Sequence, residues 1–220
     1  MQIVFGRSER LRGRIKTIVR SSICVALTAL SMSAYSASKP VLVLGDSLSA
    51  EYGLARGSGW VALLETKLQT SKIDTPVVNA SISGETTSGG RSRLPALLEK
   101  YHPGVVVIEL GANDALRGLS LTSTRVNIQA MIDSVKKSQA RVLLIGMQIP
   151  PNYGIAYTRQ FADLYPALAR QSKAALVPFM LDGVAEDPEL FQSDRIHPAA
   201  EAHPQILKNI WPHLKPLLQK

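Results

Sequence analysis

Five short runs of β-favouring apolar residues lie at 41–44, 77–78, 105–110, 142–145 and 174–177, and longer stretches with helical spacing separate them. This alternation is what most narrowly limits the fold. Strands joined by helical crossovers run parallel, and a parallel sheet must be covered on both faces. A continuous apolar run such as Val-Val-Val-Ile-Glu-Leu at 105–110 suits a strand buried on both sides. Ser58 is the expected N-cap of a first helix carrying Trp60, Val61, Leu63, Leu64 and Leu68. Leu94, Leu97 and Leu98 mark a second helix, and Val126, Ile128, Met131, Ile132 and Val135 a third. Phe161, Leu164 and Leu168 mark a fourth, and Ile206, Leu207, Ile210 and Leu214 a last. The expected class is α/β, a three-layer α/β/α sandwich around a five-stranded parallel sheet. With 220 residues, the chain suits one domain plus a short appendage.

In sheets of this kind ligands bind beyond the carboxyl ends of the strands. The segments that follow the five runs are rich in chemistry: Gly45-Asp46-Ser47, Ser83-Gly84-Glu85-Thr86, Gly111-Ala112-Asn113-Asp114, Pro150-Pro151-Asn152-Tyr153-Gly154 and Asp194-Arg195-Ile196-His197. Ser47 could be a turn former or a helix cap, or a nucleophile if a base removes its proton. Of the four histidines, His102 sits in a polar turn and His203 and His213 fall in the last helical stretch. His197 differs, because Asp194 precedes it by three residues in a non-periodic stretch ended by Pro198. A turn of that length can set the carboxylate beside the imidazole and fix its tautomer. The bland alternative is a surface Asp–His pair, or an aspartate capping the last helix. Gly84 can bring a backbone N–H close to a ligand, and Asn113 offers side-chain N–H donors, unless they serve only a turn and a helix cap.

In their order, Gly45-Asp46-Ser47-Leu48-Ser49, Gly84, Gly111-Ala112-Asn113-Asp114 and Asp194-Arg195-Ile196-His197 resemble the four blocks of the GDSL (SGNH) hydrolase family. The resemblance runs from about Pro40 onward. Residues 111–118, 151–154 and 196–198 are most similar to the periplasmic thioesterase I/lysophospholipase L1 and arylesterase group of that family. The resemblance implies a flavodoxin-like sandwich and a serine esterase acting without a cofactor or metal. By position, it implies a catalytic triad of Ser47, Asp194 and His197. It also implies an oxyanion hole made by the Ser47 backbone, Gly84 and Asn113.

The first 36 residues read as a separate segment. Arg7, Arg10, Arg12, Arg14, Lys16 and Arg20 precede the apolar run 23–30, and small residues follow up to Ser36. Basic head, apolar middle and small-residue tail make a secretory leader, expected to be cleaved after Ser36. The apolar run is too short for a stable membrane span. The exported chain would then be 37–220, in the periplasm or secreted. The leader holds six Lys or Arg and one acid, which leaves 19 basic and 16 acidic residues beyond it. The basicity of the whole chain therefore argues little for nucleic-acid binding. Cys24, the one cysteine, leaves with the leader, so neither a disulfide nor a thiol nucleophile is expected in the exported chain.

Leu116, Leu119, Tyr153 and Ile155 follow the third and fourth strands and are expected to line an acyl site, with Leu116, Tyr153 and Ile155 touching substrate. The expected partner is a small-molecule ester or thioester with an apolar acyl chain, bound by a monomer. The rivals are an esterase of the same fold acting on acetylated sugars, a non-catalytic lipid carrier, and a flavodoxin-like electron carrier.

Overall fold

The computed structural model of the chain describes residues 1–2 and 38–219. The expected leader and its cleavage point lie outside the described residues. Within 38–219, five parallel strands form one sheet: β1 (Val41–Gly45), β2 (Val77–Asn79), β3 (Val105–Glu109), β4 (Arg141–Ile145) and β5 (Ala175–Val177). Their order across the sheet is β2-β1-β3-β4-β5. The register pairs Val41 with Val77 on one side and with Val105 on the other. Central β1 and β3 are buried along their whole length, which is why β1 reads as an unbroken apolar run and β3 as one interrupted only by Glu109.

The long helices are α1 (Trp60–Thr70), α2 (Thr87–Tyr101), α4 (Leu121–Lys137), α5 (Ile155–Ser172) and α6 (His203–Leu218); a short α3 spans Ala112–Leu116. α1 packs on α6, while α2 packs on α4 and α4 on α5, giving the two outer layers of the expected sandwich. Among the described residues no helix is long and apolar enough to cross a membrane.

Two local expectations need correction. Gly59, not Ser58, is the N-cap of α1, and it makes no side-chain cap. Ser58 instead donates its hydroxyl to the Ala55 carbonyl at 2.7 Å. The first amide of α1 finds a distant acceptor, since Trp60 N donates to His203 Nδ1 at 2.9 Å, meeting a need that a cap residue usually meets. On α4 the core face is Ile128, Met131, Ile132 and Val135, while Val126 is 54% exposed. Val126 stands two positions before Ile128 and five before Met131, and neither is the three- or four-residue spacing of one helix face, so it lies off the apolar stripe.

The chain runs from β1 outward to β2, then back across to β3. The direction of winding therefore reverses beside β1, and the carboxyl ends of β1 and β3 open a crevice there.

Candidate active site

Ser47 stands in the turn just past β1. Its neighbour Asp46 is 1% exposed, and the Asp46 Oδ1 accepts the Leu48 amide at 3.0 Å, locking the turn. The loop after β2 is tied alongside, because Ile82 N donates to Gly45 O at 3.1 Å. In that loop Gly84 has φ +76, a left-handed conformation that favours glycine. The Gly84 carbonyl accepts from Arg117 at 2.9 Å, which pins the loop to the end of α3.

Asn113 arrives from the third strand. Gly111, at φ +122, turns the chain out of β3 into α3, and a Cβ there would stand 2.5 Å from the Tyr165 hydroxyl. That turn brings Asn113 Nδ2 to within 3.0 Å of Asp46 Oδ2. An amide carries two hydrogens, so one N–H is anchored on Asp46 and the other stays available to a ligand. Asp114, on the same short helix, is buried and accepts from the Thr87 amide at 2.9 Å, tying α3 to α2.

His197 reaches Ser47 from the far end of the chain. Its Nε2 lies 2.9 Å from Ser47 Oγ, and its Nδ1 lies 2.7 Å from Asp194 Oδ2. The turn between them is tight: Asp194 Oδ1 accepts the Ile196 and His197 amides at 2.9 and 3.0 Å, and Arg195 takes a left-handed φ of 56. An antiparallel bridge from Phe191 to Pro198 closes the base of the loop. Gln192 donates both to the Pro198 carbonyl and to the Tyr52 carbonyl. The Tyr52 ring lies against the imidazole, with centroids 4.4 Å apart. The His197 amide, with help from the His197 ring and the Ile196 amide, lowers the Asp194 carboxyl to about 2, so it is an anion at neutral pH. A carboxylate fixed this way faces the Nδ1 side of the ring, while Nε2 faces the serine.

The other histidines go where their surroundings send them. His102 is an exposed left-handed cap ending α2. His203 is buried; burial lowers its pKa, and its Nδ1 accepts the Trp60 amide at 2.9 Å.

Beside Ser47, Asn113 and His197 opens a cleft of about 610 Å³. Leu116 lines it, together with Met147 and Ile149 after β4 and Phe179, Leu181 and Phe191 after β5. Tyr153 and Ile155 do not line it. Tyr153 ends a 3-10 turn and Ile155 opens α5, 42% and 82% exposed, and Leu119 is 43% exposed. Pro150 and Pro151 line the cleft, but the chain then winds into a 3-10 turn that carries Tyr153 away from it. Their apolar character alone did not reveal which side of the loop faced the cleft. Glu109 is a buried acid beneath the site, accepting the Asp46 amide and the Ser49 hydroxyl, that the motifs missed. Its signal was an acid at the end of an otherwise apolar, doubly covered strand, where an ionised group is costly.

Residues 43–204 match the model of the GDSL-like lipase/acylhydrolase family. The chain is 50% identical over 195 residues to esterase TesA of Pseudomonas aeruginosa, covering 89% of this chain and 96% of that protein. It is 41% identical over 182 residues to thioesterase 1/protease 1/lysophospholipase L1 of Escherichia coli, covering 83% and 86% of the two chains. The solved structure of the psychrotrophic esterase EstA from Pseudoalteromonas sp., inhibited by monoethylphosphonate, superposes with a TM-score of 0.79 at 39% identity, covering 83% of this chain and 100% of that one.

Proposed function

The chain belongs to the GDSL-like lipase/acylhydrolase family, and from that premise we propose that it hydrolyses fatty acyl esters and thioesters with Ser47 as nucleophile, His197 as base and Asp194 as its orienting anion. It is a carboxylic ester hydrolase of the serine esterase type. The observation that carries the residue roles is the unbroken chain of contacts from Asp194 through His197 to Ser47 at the edge of an apolar cleft.

In the proposed mechanism, His197 Nε2 takes the Ser47 proton as Oγ attacks the carbonyl carbon. The carbonyl oxygen gains the negative charge, and the Ser47 amide, the Gly84 amide and the Asn113 side chain donate to it. His197 then passes its proton to the departing alcohol or thiol. Water, deprotonated by the same ring, attacks the acyl-enzyme and releases the acid and Ser47.

The apolar walls favour an acyl chain over an acetyl group. A buried methylene contributes about 0.8 kcal/mol, or nearly fourfold in binding per carbon. kcat/KM on aryl esters should therefore climb from acetyl to medium chains. Leu116→Ala should flatten the climb, while Tyr153→Ala, outside the cleft, should leave it intact. A flat profile with faster turnover of acetylated sugars would move the function to carbohydrate de-esterification.

The leader pattern of residues 1–36 supports export with cleavage after Ser36. N-terminal sequencing of exported protein should begin at Ala37; protein confined to the cytoplasm with Met1 intact would reject this.

A further inference from the structure

Beneath the nucleophile turn lies an acid that the reaction itself never touches. Glu109 ends β3 with 2% of its surface exposed. Its Oε2 accepts the Asp46 amide at 3.1 Å and the Ser49 hydroxyl at 2.7 Å, and Trp60 Nε1 donates in turn to Ser49 Oγ at 3.2 Å. A Cβ on Gly45 would stand 2.7 Å from both Glu109 Oε2 and Ser49 Oγ, so the turn rests on this carboxyl only because residue 45 is glycine. Glu109 also hydrogen-bonds the Asp46 carboxyl, the group that anchors Asn113. One buried acid thus supports the serine turn, and the next holds the proposed oxyanion donor.

Two carboxyl groups in hydrogen-bond contact away from water cannot both be ionised. No ion pair among the described residues includes either of them. The groups facing the pair are few. The Tyr165 phenol faces Glu109 from α5, donating to Leu110 O at 3.1 Å, with Asp114 beyond it on α3; the His197 ring faces Asp46 from its loop. Burial, then the charge of Asp46, pushes the Glu109 carboxyl well up. Burial raises Asp46 only to about 6, because Leu48, Glu109 and Asn113 all donate to it.

We propose that Glu109 is a positioning residue acting as the neutral acid: one oxygen holds the nucleophile turn, and the other donates its proton to Asp46, leaving that carboxylate to aim the Asn113 amide. The catalytic half of this rests on the esterase reading; the location of the proton rests on the fold alone.

The test compares wild type with Glu109→Gln and Glu109→Leu. Glutamine can donate and accept as the neutral acid does but cannot titrate, whereas leucine can do neither. A folded-state pKa raised above the unfolded value gives stability that is full below the unfolded pKa and is lost as pH rises toward the folded one. The Tm of Glu109→Gln should therefore gain on wild type as pH rises from about 4.5 to about 8, starting from the ordinary glutamate range. Wild type at neutral pH should show an infrared carbonyl band of a protonated carboxyl that Glu109→Gln lacks. On an aryl ester, Glu109→Leu should lose about a hundredfold in kcat with little change in KM, and Glu109→Gln should restore most of that loss. A Tm gap independent of pH, identical carbonyl bands, or equal losses in the two variants would each overturn the proposal. If Glu109→Leu does not fold, the thermal and infrared comparisons of the other two proteins still decide it. If wild type neither cleaves esters nor reacts with an organophosphonate at Ser47, the esterase reading fails, and those two measurements still report the proton.

Discussion

Ser47→Ala and His197→Ala should each lower kcat on an aryl ester by roughly 10⁴–10⁶-fold, and the double variant should be hardly slower than either. The expectation follows from the single hydrogen bond that joins the two side chains at 2.9 Å. Without the ring, the hydroxyl keeps its proton and is a poor nucleophile. Without the hydroxyl, the ring has nothing to activate except water. Each deletion removes the same step, so the losses cannot add. The fold should survive both changes, because the two side chains sit at the mouth of the cleft and not in the packed core. Matching circular dichroism and Tm would confirm that only chemistry was lost. A fluorophosphonate should label wild type and leave Ser47→Ala untouched. Retention of more than about one per cent of kcat by either single variant, or losses that multiply in the double, would dismiss these roles.

Asn113→Ala should cost roughly 10²–10³-fold in kcat while KM moves only a few-fold. The asymmetry matters because a donor aimed at developing charge acts on the transition state, whereas a residue that grips the substrate acts on both states alike. The Asp46 contact adds a second signature. Removing the amide takes away one of the donors that stabilise a buried carboxylate, so Tm should fall as well. Unchanged kcat with a raised KM would make Asn113 a substrate-binding residue.

Much of this architecture was legible before any coordinates. The five strands fall within a residue or so of the apolar runs that announce them, because a doubly covered parallel strand has no polar face to blur its pattern. Ser47 and Asn113 were legible because they stand just after β1 and β3, where topology dictates a crevice, and the Asp194–His197 turn, well beyond β5, was legible from its own three-residue spacing ahead of Pro198. What stayed hidden depends on contacts between distant segments. Nothing near Ser58 says that the first amide of α1 will find the ring of His203 instead of a cap. Phe179, Leu181 and Phe191 lie in a stretch without periodicity, and only the path of the chain after β5 turns them into the cleft. Tyr153 and Ile155 have the apolar chemistry expected of an acyl site but stand outside the residues that line the cleft. Glu109 was visible as an anomaly in an apolar run, yet its use needed the glycine gap at residue 45 to be seen in three dimensions.

His197 and Asp194 are three positions apart, whereas His197 and Ser47 are 150 apart. A chain that emerges from a ribosome, or threads through a translocon, therefore presents its serine long before the ring that activates it. Through residue 193 every intermediate is chemically silent toward esters under the roles proposed above. The remaining loop must then be clamped, with α6 docking on α1 and β5, before Oγ meets Nε2. Under those roles, acyl transfer needs both ends of the fold joined, so a chain that has not yet docked its last helix cannot perform it.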